Sequence, residues 1–290
     1  MTSAIKFVTL CISTLSLFAC ASGHHAPFTG ELALVRKIAG IEKRLEKAVL
    51  AVPFFSMRVI GIVRYDIFQA PIWVLTIDSD NAQKYGVLIS AGVHGNEPAG
   101  VESILRFVET LANDPAKYKN FKFHILPLVN PWGWSHNNRF NKDGIDINRD
   151  FASLKSQEAA MIQQFMQGKK YDLMIDLHED PSAAGFYLYQ YGRPDDGLCR
   201  QIITKVKEMG YPVEQNVNMV ILNTKDGLID APMWGLRYMR LTRQLSITNY
   251  YRLNNSKNVF TIETPTTLPM KDRLSMQTNV LDMFLDSLIE

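Results

Sequence analysis

Val87-Leu88-Ile89-Ser90-Ala91-Gly92-Val93-His94-Gly95-Asn96-Glu97-Pro98-Ala99-Gly100 is an apolar run that breaks into a glycine turn carrying a histidine and a glutamate. The run reads as a buried strand, the glycines let the chain turn sharply, and Pro98 suits the first turn of a following helix. His94 and Glu97 therefore sit at the carboxyl end of a strand, the edge at which open α/β sheets bind ligands. Imidazole nitrogen and carboxylate oxygen both suit Zn²⁺, and a catalytic zinc needs three protein ligands and one open position. The alternative is that Glu97 favours the helix N-terminus through the macrodipole and His94 is a satisfied turn residue.

On either side of this stretch, apolar periodicity alternates between the two repeats. Residues 32–50 have helical spacing, 57–63 and 72–77 read as strands, 97–111 as a helix and 121–129 as a strand. Residues 130–151 have no clean period and are dense in Asn, Gly, Trp and Arg; a long irregular stretch inside a domain is usually functional. Beyond it come a helix over 156–166, strands over 173–177 and 186–191, and a helix over 198–209. A strand near 218–222, a helix near 231–238, a loop, a strand over 259–262 and a closing helix over 274–289 complete the reading. The alternation argues for an α/β fold with a largely parallel sheet covered by helices on both faces.

Three further stretches bring chemistry to the same sheet edge. Tyr171-Asp172-Leu173-Met174-Ile175-Asp176-Leu177-His178-Glu179-Asp180 ends a short apolar strand on a second histidine, His178, the candidate third ligand. Arg139-Phe140-Asn141-Lys142-Asp143-Gly144-Ile145-Asp146-Ile147-Asn148-Arg149-Asp150 supplies two guanidinium groups, planar forks suited to a carboxylate or a developing oxyanion. Val259-Phe260-Thr261-Ile262-Glu263-Thr264-Pro265 places Glu263 directly after an apolar run. An unpaired buried carboxylate is costly, so Glu263 either has a cation partner or lies in a cleft as a general base. His124, in a strand interior, reads as a packed or surface histidine, and His136 as a residue that lines the site without touching metal.

Taken in order, His94-x-x-Glu97, Arg139, Gly144-Ile145-Asp146-Ile147-Asn148-Arg149, His178 and Thr261-Ile262-Glu263-Thr264-Pro265 resemble the zinc carboxypeptidase family. More distantly, His-Gly-Asn-Glu and Asn-Arg resemble the succinylglutamate desuccinylase and aspartoacylase group. The resemblance implies one domain with a central, twisted, mixed eight-stranded sheet and helices on both faces. It also implies one zinc ion on His94, Glu97 and His178, with Glu263 as general base toward the water that zinc activates. Asp146 would orient His94, Arg139 would polarise the scissile carbonyl, and Asn148 and Arg149 would hold the substrate's terminal carboxylate. Tyr250, or its neighbour Tyr251, is the candidate for the substrate-capping tyrosine. Asp150 departs from the family pattern, where asparagine often follows the Asn-Arg pair. The implied substrate is a short peptide or a cell-wall stem peptide, with cleavage of N-acyl amino acids as the alternative.

Composition sets the outer bounds. With 290 residues, 47% hydrophobic and 21% charged, the chain can bury a sizeable core. A net charge of +2, from scattered basic residues, gives no reason to expect a nucleic-acid partner. Lys6 followed by Phe7 to Ala19 has the pattern of a secretory signal. Leu17-Phe18-Ala19-Cys20 resembles a lipobox that would make Cys20 a lipid anchor and place the protein in the periplasm. The expected division is a signal peptide at 1–19, a tether at 20–30 and a catalytic domain at 31–290, acting as a monomer. Cys199 then stands alone with no disulfide expected, and His24 and His25 read as solvated tether residues.

Overall fold

The structure, a computed structural model, describes residues 25–29, 32–78, 84–192, 197–215 and 225–289. The expected signal segment with Cys11, the candidate anchor Cys20, His24 and the strand expected near 218–222 lie outside the described residues. Element order is α1 (Ala39–Ala51), β1 (Phe55–Tyr65), β2 (Phe68–Asp78), β3 (Tyr85–Ala91), α2 (Pro98–Asn113), β4 (Phe121–Leu126) and α3 (Pro131–His136). A 3₁₀ turn (Ile147–Arg149), α4 (Gln157–Met166), β5 (Leu173–Asp180), β6 (Tyr187–Tyr191) and α5 (Leu198–Glu208) follow. The chain then forms β7 (Leu228–Ala231), α6 (Met233–Leu241), α7 (Ile247–Asn254), β8 (Val259–Pro265) and α8 (Met270–Asp286).

The strands make one eight-stranded sheet in the order β1-β2-β4-β3-β5-β8-β6-β7. Its centre, β4-β3-β5-β8, is parallel, as alternation predicts. The flanks turn it mixed, because β1, β2 and β4 pair antiparallel and β6 runs antiparallel to β8. Pro71, expected just before a strand, lies inside β2 opposite Ile62. The sheet tolerates it because β4 joins β2 only from Leu75 onward, so no neighbour on that side needs the missing N–H.

The pleat sorts side chains to two cores. Val87, Ile89, Ala91, Ile175, Leu177, Phe260 and Ile262 pack with α1, α2, α5 and α8. Leu88, Met174, Val259, Tyr187, Tyr189 and Tyr191 face the other way, toward α4, α6 and α7. Period-2 geometry therefore puts Asp176, His178, Asp180, Thr261 and Glu263 on that second face. The first helix starts at Ala39 rather than near residue 32, since the preceding chain is drawn onto α3: Val35 N and Arg36 N both donate to Ser135 O, at 2.7 and 3.3 Å.

Candidate metal centre and active site

The turn after β3 is shaped by close packing. Gly92 adopts φ +66°, and a side chain at Gly95 would collide with the Gly133 carbonyl carbon and Trp134 nitrogen, so α3 lies directly on the turn. Pro98 opens α2, but Glu97 makes no capping bond to that helix. The Ala99 N–H is taken by Glu179 Oε2 at 2.6 Å instead. Glu97 is thereby released from capping to face the histidines.

Glu97 Oε1 lies 2.7 Å from His94 Nδ1, and Oε2 lies 2.8 Å from His178 Nδ1. One ligand atom from each of His94, Glu97 and His178 falls within 4.8 Å of the others, and all three residues are buried. Two imidazole nitrogens and one carboxylate oxygen form a donor set that fits zinc. Each ring is held by its other nitrogen: His94 Nε2 on Asp146 Oδ1 at 3.2 Å, His178 Nε2 on Asp176 Oδ2 at 2.7 Å. Such partners select the tautomer and aim the free nitrogen. Burial works against the charged forms, but the charges outweigh it. The two imidazoles hold Glu97 well below the ordinary carboxylate range, and Asp176 and Glu97 push His178 well above the usual histidine value.

Asp146 anchors the loop. Its Oδ2 accepts from Arg139 Nε and Nη2 at 3.1 and 2.8 Å, and its Oδ1 accepts from Asn148 N at 2.9 Å. This leaves Arg139 Nη1 3.2 Å from His94 Nδ1 and 3.7 Å from Glu97 Oε1. Glu263 is the register partner of His178 across β5 and β8 and remains partly exposed. Burial pushes its carboxyl up to about 8, with Glu97 and Asp180 adding to the rise and His178 and Arg139 opposing it. Asn148 lies with Nδ2 3.5 Å from His178 Nε2, and its Oδ1 accepts from Ile247 N at 3.0 Å, which ties α7 to the site. Arg149 is partly exposed and donates to Asn148 O at 2.8 Å.

The remaining candidate residues are placed by their packing. Tyr250 packs its ring against Phe151 at 5.9 Å, and Tyr251 is fully buried. The tyrosines within electrostatic reach of Glu263 are Tyr187, Tyr189 and Tyr191 on β6. His136 stacks on Trp132 at 4.4 Å with Nδ1 on Trp132 O, so it packs α3 and does not reach the ligands. His124 bonds Tyr171 OH at 2.7 Å, the packed reading. His25 is exposed, as expected of a solvated residue, but it is docked: its N donates to Gly144 O at 2.6 Å and its ring stacks on Phe28 at 5.1 Å. The segment docks because Phe28 in turn packs on Trp132 and its N donates to Lys142 O.

Two supports escaped the sequence reading. Asp176 is one, although the spacing Asp-x-His in a strand puts both side chains on one face and was a usable signal. Arg36 is the other: Nη1 donates to Gly95 O at 2.7 Å while the guanidinium lies 4.6 Å from the Trp134 ring centre. No local pattern announces a contact across that sequence distance.

The fold is that of solved metallopeptidases and metallocarboxypeptidases. A candidate metallopeptidase of Shewanella amazonensis superposes with TM-score 0.72 at 21% identity, covering 87% of this chain and 93% of that one. A metallo-carboxypeptidase of Pseudomonas aeruginosa in complex with (2-guanidinoethylmercapto)succinic acid superposes at 0.60, with 17% identity over 87% and 69% of the two chains. The family model for the succinylglutamate desuccinylase/aspartoacylase catalytic domain matches residues 83–279, and the chain belongs to that family. Carboxypeptidase SOL1 of Arabidopsis thaliana is 28% identical over 162 residues, 45% of this chain and 32% of its own length. Carboxypeptidase E of Caenorhabditis elegans is 33% identical over 114 residues, covering 32% of this chain and 24% of its own. The chain thus spans under a third of these curated relatives.

Proposed function

We propose that the protein is a zinc metallocarboxypeptidase that removes the C-terminal residue of a short peptide or cell-wall stem peptide. The observation that carries this reading is Glu263 standing in register beside His178, on the sheet face shared by a His-Glu-His donor set. Bound zinc would polarise the scissile carbonyl and acidify the attacking water. Glu263 would take a proton from the attacking water and deliver it to the leaving amine, the general-base role its place beside His178 suits. Arg139, held in its fork by Asp146, donates to the carbonyl oxygen as negative charge builds there. Asn148 and Arg149 grip the terminal carboxylate, which sets the bond that lies over the ligands.

The family match favours a second reading, an amidohydrolase acting on N-acyl amino acids. A hydrolysis panel separates the two. The carboxypeptidase should cut a peptide far faster than its C-terminal amide, since losing a charged partner in a binding site costs about 2–5 kcal/mol. Arg149→Ala should narrow that gap. Equal cleavage of both peptides, or cleavage of N-acyl amino acids alone, would overturn the carboxypeptidase reading. We further propose export to the periplasm through residues 1–19 and anchorage through an acylated Cys20, supported by the sequence pattern; mass spectrometry of the mature N-terminus tests it.

A further inference from the structure

Asp180 has no role in the mechanism above, yet the fold presents it to the site. It closes β5 two residues after His178, so the pleat places its side chain on the ligand face, about 6–7 Å further along the strand. Its neighbour Glu179 projects to the other face, where Ala99 N and Arg273 occupy it. Asp180 is held just as firmly, but by neutral donors: Tyr187 OH to Oδ2 at 2.7 Å, and Ser182 N and Oγ to Oδ1 at 2.7 and 2.6 Å. A carboxylate has about four acceptor sites. Three are used, and the fourth belongs to Oδ2. Asp180 is partly exposed, and among the described residues no Lys, Arg or His pairs with it.

Its position relative to the substrate follows from Asn148. The Asn148 amide lies beside His178 Nε2, the nitrogen bound to Asp176, so the carboxylate-binding pair is on the Asp176 side of this ligand. Asp180 lies on the opposite side. A peptide whose terminal carboxylate rests on Asn148 and Arg149 crosses the ligands and brings its acyl side to Asp180. In register, Asp180 faces Pro265 across β5 and β8, two residues beyond the His178–Glu263 pair.

We propose that Asp180 is a specificity-determining residue that binds a free ammonium group on the acyl-side residue of the substrate. The inference rests on the carboxypeptidase reading. The ammonium is either the α-amino group of a dipeptide or the side-chain amino group of a diamino acid. The same carboxylate disfavours acyl groups that carry a second carboxylate, such as succinyl.

The test uses zinc-loaded mature protein and four substrates sharing one C-terminal residue: free and N-acetylated alanyl dipeptides, and N-acetyl-lysyl and N-acetyl-norleucyl dipeptides. In at least one pair the ammonium-bearing member should have a kcat/KM about 10- to 100-fold higher, in line with a charge-assisted hydrogen bond. The pair that shows the preference identifies the source of the ammonium. Asp180→Asn should bring that ratio near one, by lowering kcat/KM for the ammonium-bearing member more than for its neutral counterpart, with zinc content retained. Tyr187→Phe, which frees the carboxylate without removing it, should reduce the ratio partway. Cleavage with a ratio near one in both pairs, or a ratio unchanged in Asp180→Asn, would overturn the role of Asp180 alone. No cleavage of any of the four would overturn the carboxypeptidase reading and this inference with it.

Discussion

Asp176→Asn isolates the contribution of ligand orientation to metal binding. Asp176 is fully buried, with Oδ2 on His178 Nε2 at 2.7 Å and Oδ1 accepting from Ser90 Oγ at 2.6 Å. Asparagine has nearly the same shape: its carbonyl can accept from the ring N–H and its amide can donate to Ser90. The ring therefore stays aimed while the charge that makes Nδ1 a better donor is lost. Substitutions of such outer partners typically cost about 10–100-fold in metal affinity, or roughly 1.4–2.7 kcal/mol. We expect Asp176→Asn near the lower end and Asp176→Ala at or above the upper end, because alanine also leaves a buried N–H without an acceptor. Competition of the apoprotein against a chromophoric zinc chelator measures the Kd directly. Asp146→Asn is the informative comparison, since it weakens the support of His94 and also loosens the fork holding Arg139. It should lower hydrolysis at saturating zinc as well as affinity, whereas Asp176→Asn should lower mainly affinity. Unchanged zinc Kd in both Asp176 variants would mean that packing alone fixes His178.

Glu263→Gln should lower hydrolysis by about 10²–10⁴-fold with zinc content retained, measured on the same preparation by turnover and metal analysis. Near-normal turnover would return Glu263 to a structural role. Burial pushes the Glu158 carboxyl up to about 7, above its ordinary 4.5. Stability is therefore fully present below pH 4.5 and is lost as the pH rises through 7, by up to about 3 kcal/mol. Urea unfolding at pH 4.5 and 8 should show this loss in the wild type and not in Glu158→Gln; parallel losses in both proteins would refute the assignment. Arg36→Ala should cost about 1–3 kcal/mol by stripping Gly95 O of its charged donor, and weaken zinc binding as the turn loosens. An unaltered melting temperature and Kd would leave that contact without consequence.

The centre of the sheet was legible because its strands are buried on both faces and end in abrupt polar turns, as at Ala91-Gly92 and Leu177-His178. The limits were set by context. The 130–151 stretch hides a one-and-a-half-turn helix whose cap is Asn130, and six residues are too few for periodicity to show. Helix α7 does not show in the sequence because, although Ser246 caps its start, no clear apolar period follows. Strand β7 has only four residues, and its pairing with β6 is what makes it a strand. Asp150, the departure from the family pattern, turns out to accept from Ser156 N and Oγ at 2.7 and 2.8 Å. It fixes the start of α4, a task an aspartate performs with two strong acceptor bonds and an amide with weaker ones.

The candidate ligands that the fold brings together are readable from residue type and strand-end position; their supports are readable only where chain geometry is regular. Both imidazoles are held at Nε2 by an aspartate and offer Nδ1, but the two aspartates come from different kinds of structure. Asp176 is built into the same strand as His178, in the parallel centre of the sheet, and nothing short of disrupting β5 can displace it. Asp146 reaches His94 from an irregular loop, which is itself held from outside: His25 and Phe28 donate to Gly144 O and Lys142 O, and Arg36 ties down the turn at Gly95. The two halves of the centre therefore differ in what supports them. Removing the docked segment should free Asp146, Arg139 and His94 to move while His178 keeps its orientation, so the first loss is in positioning the oxyanion donor and one ligand. A substitution within β5 works in the opposite order, and the two routes are distinguishable by whether turnover at saturating zinc falls before zinc affinity does.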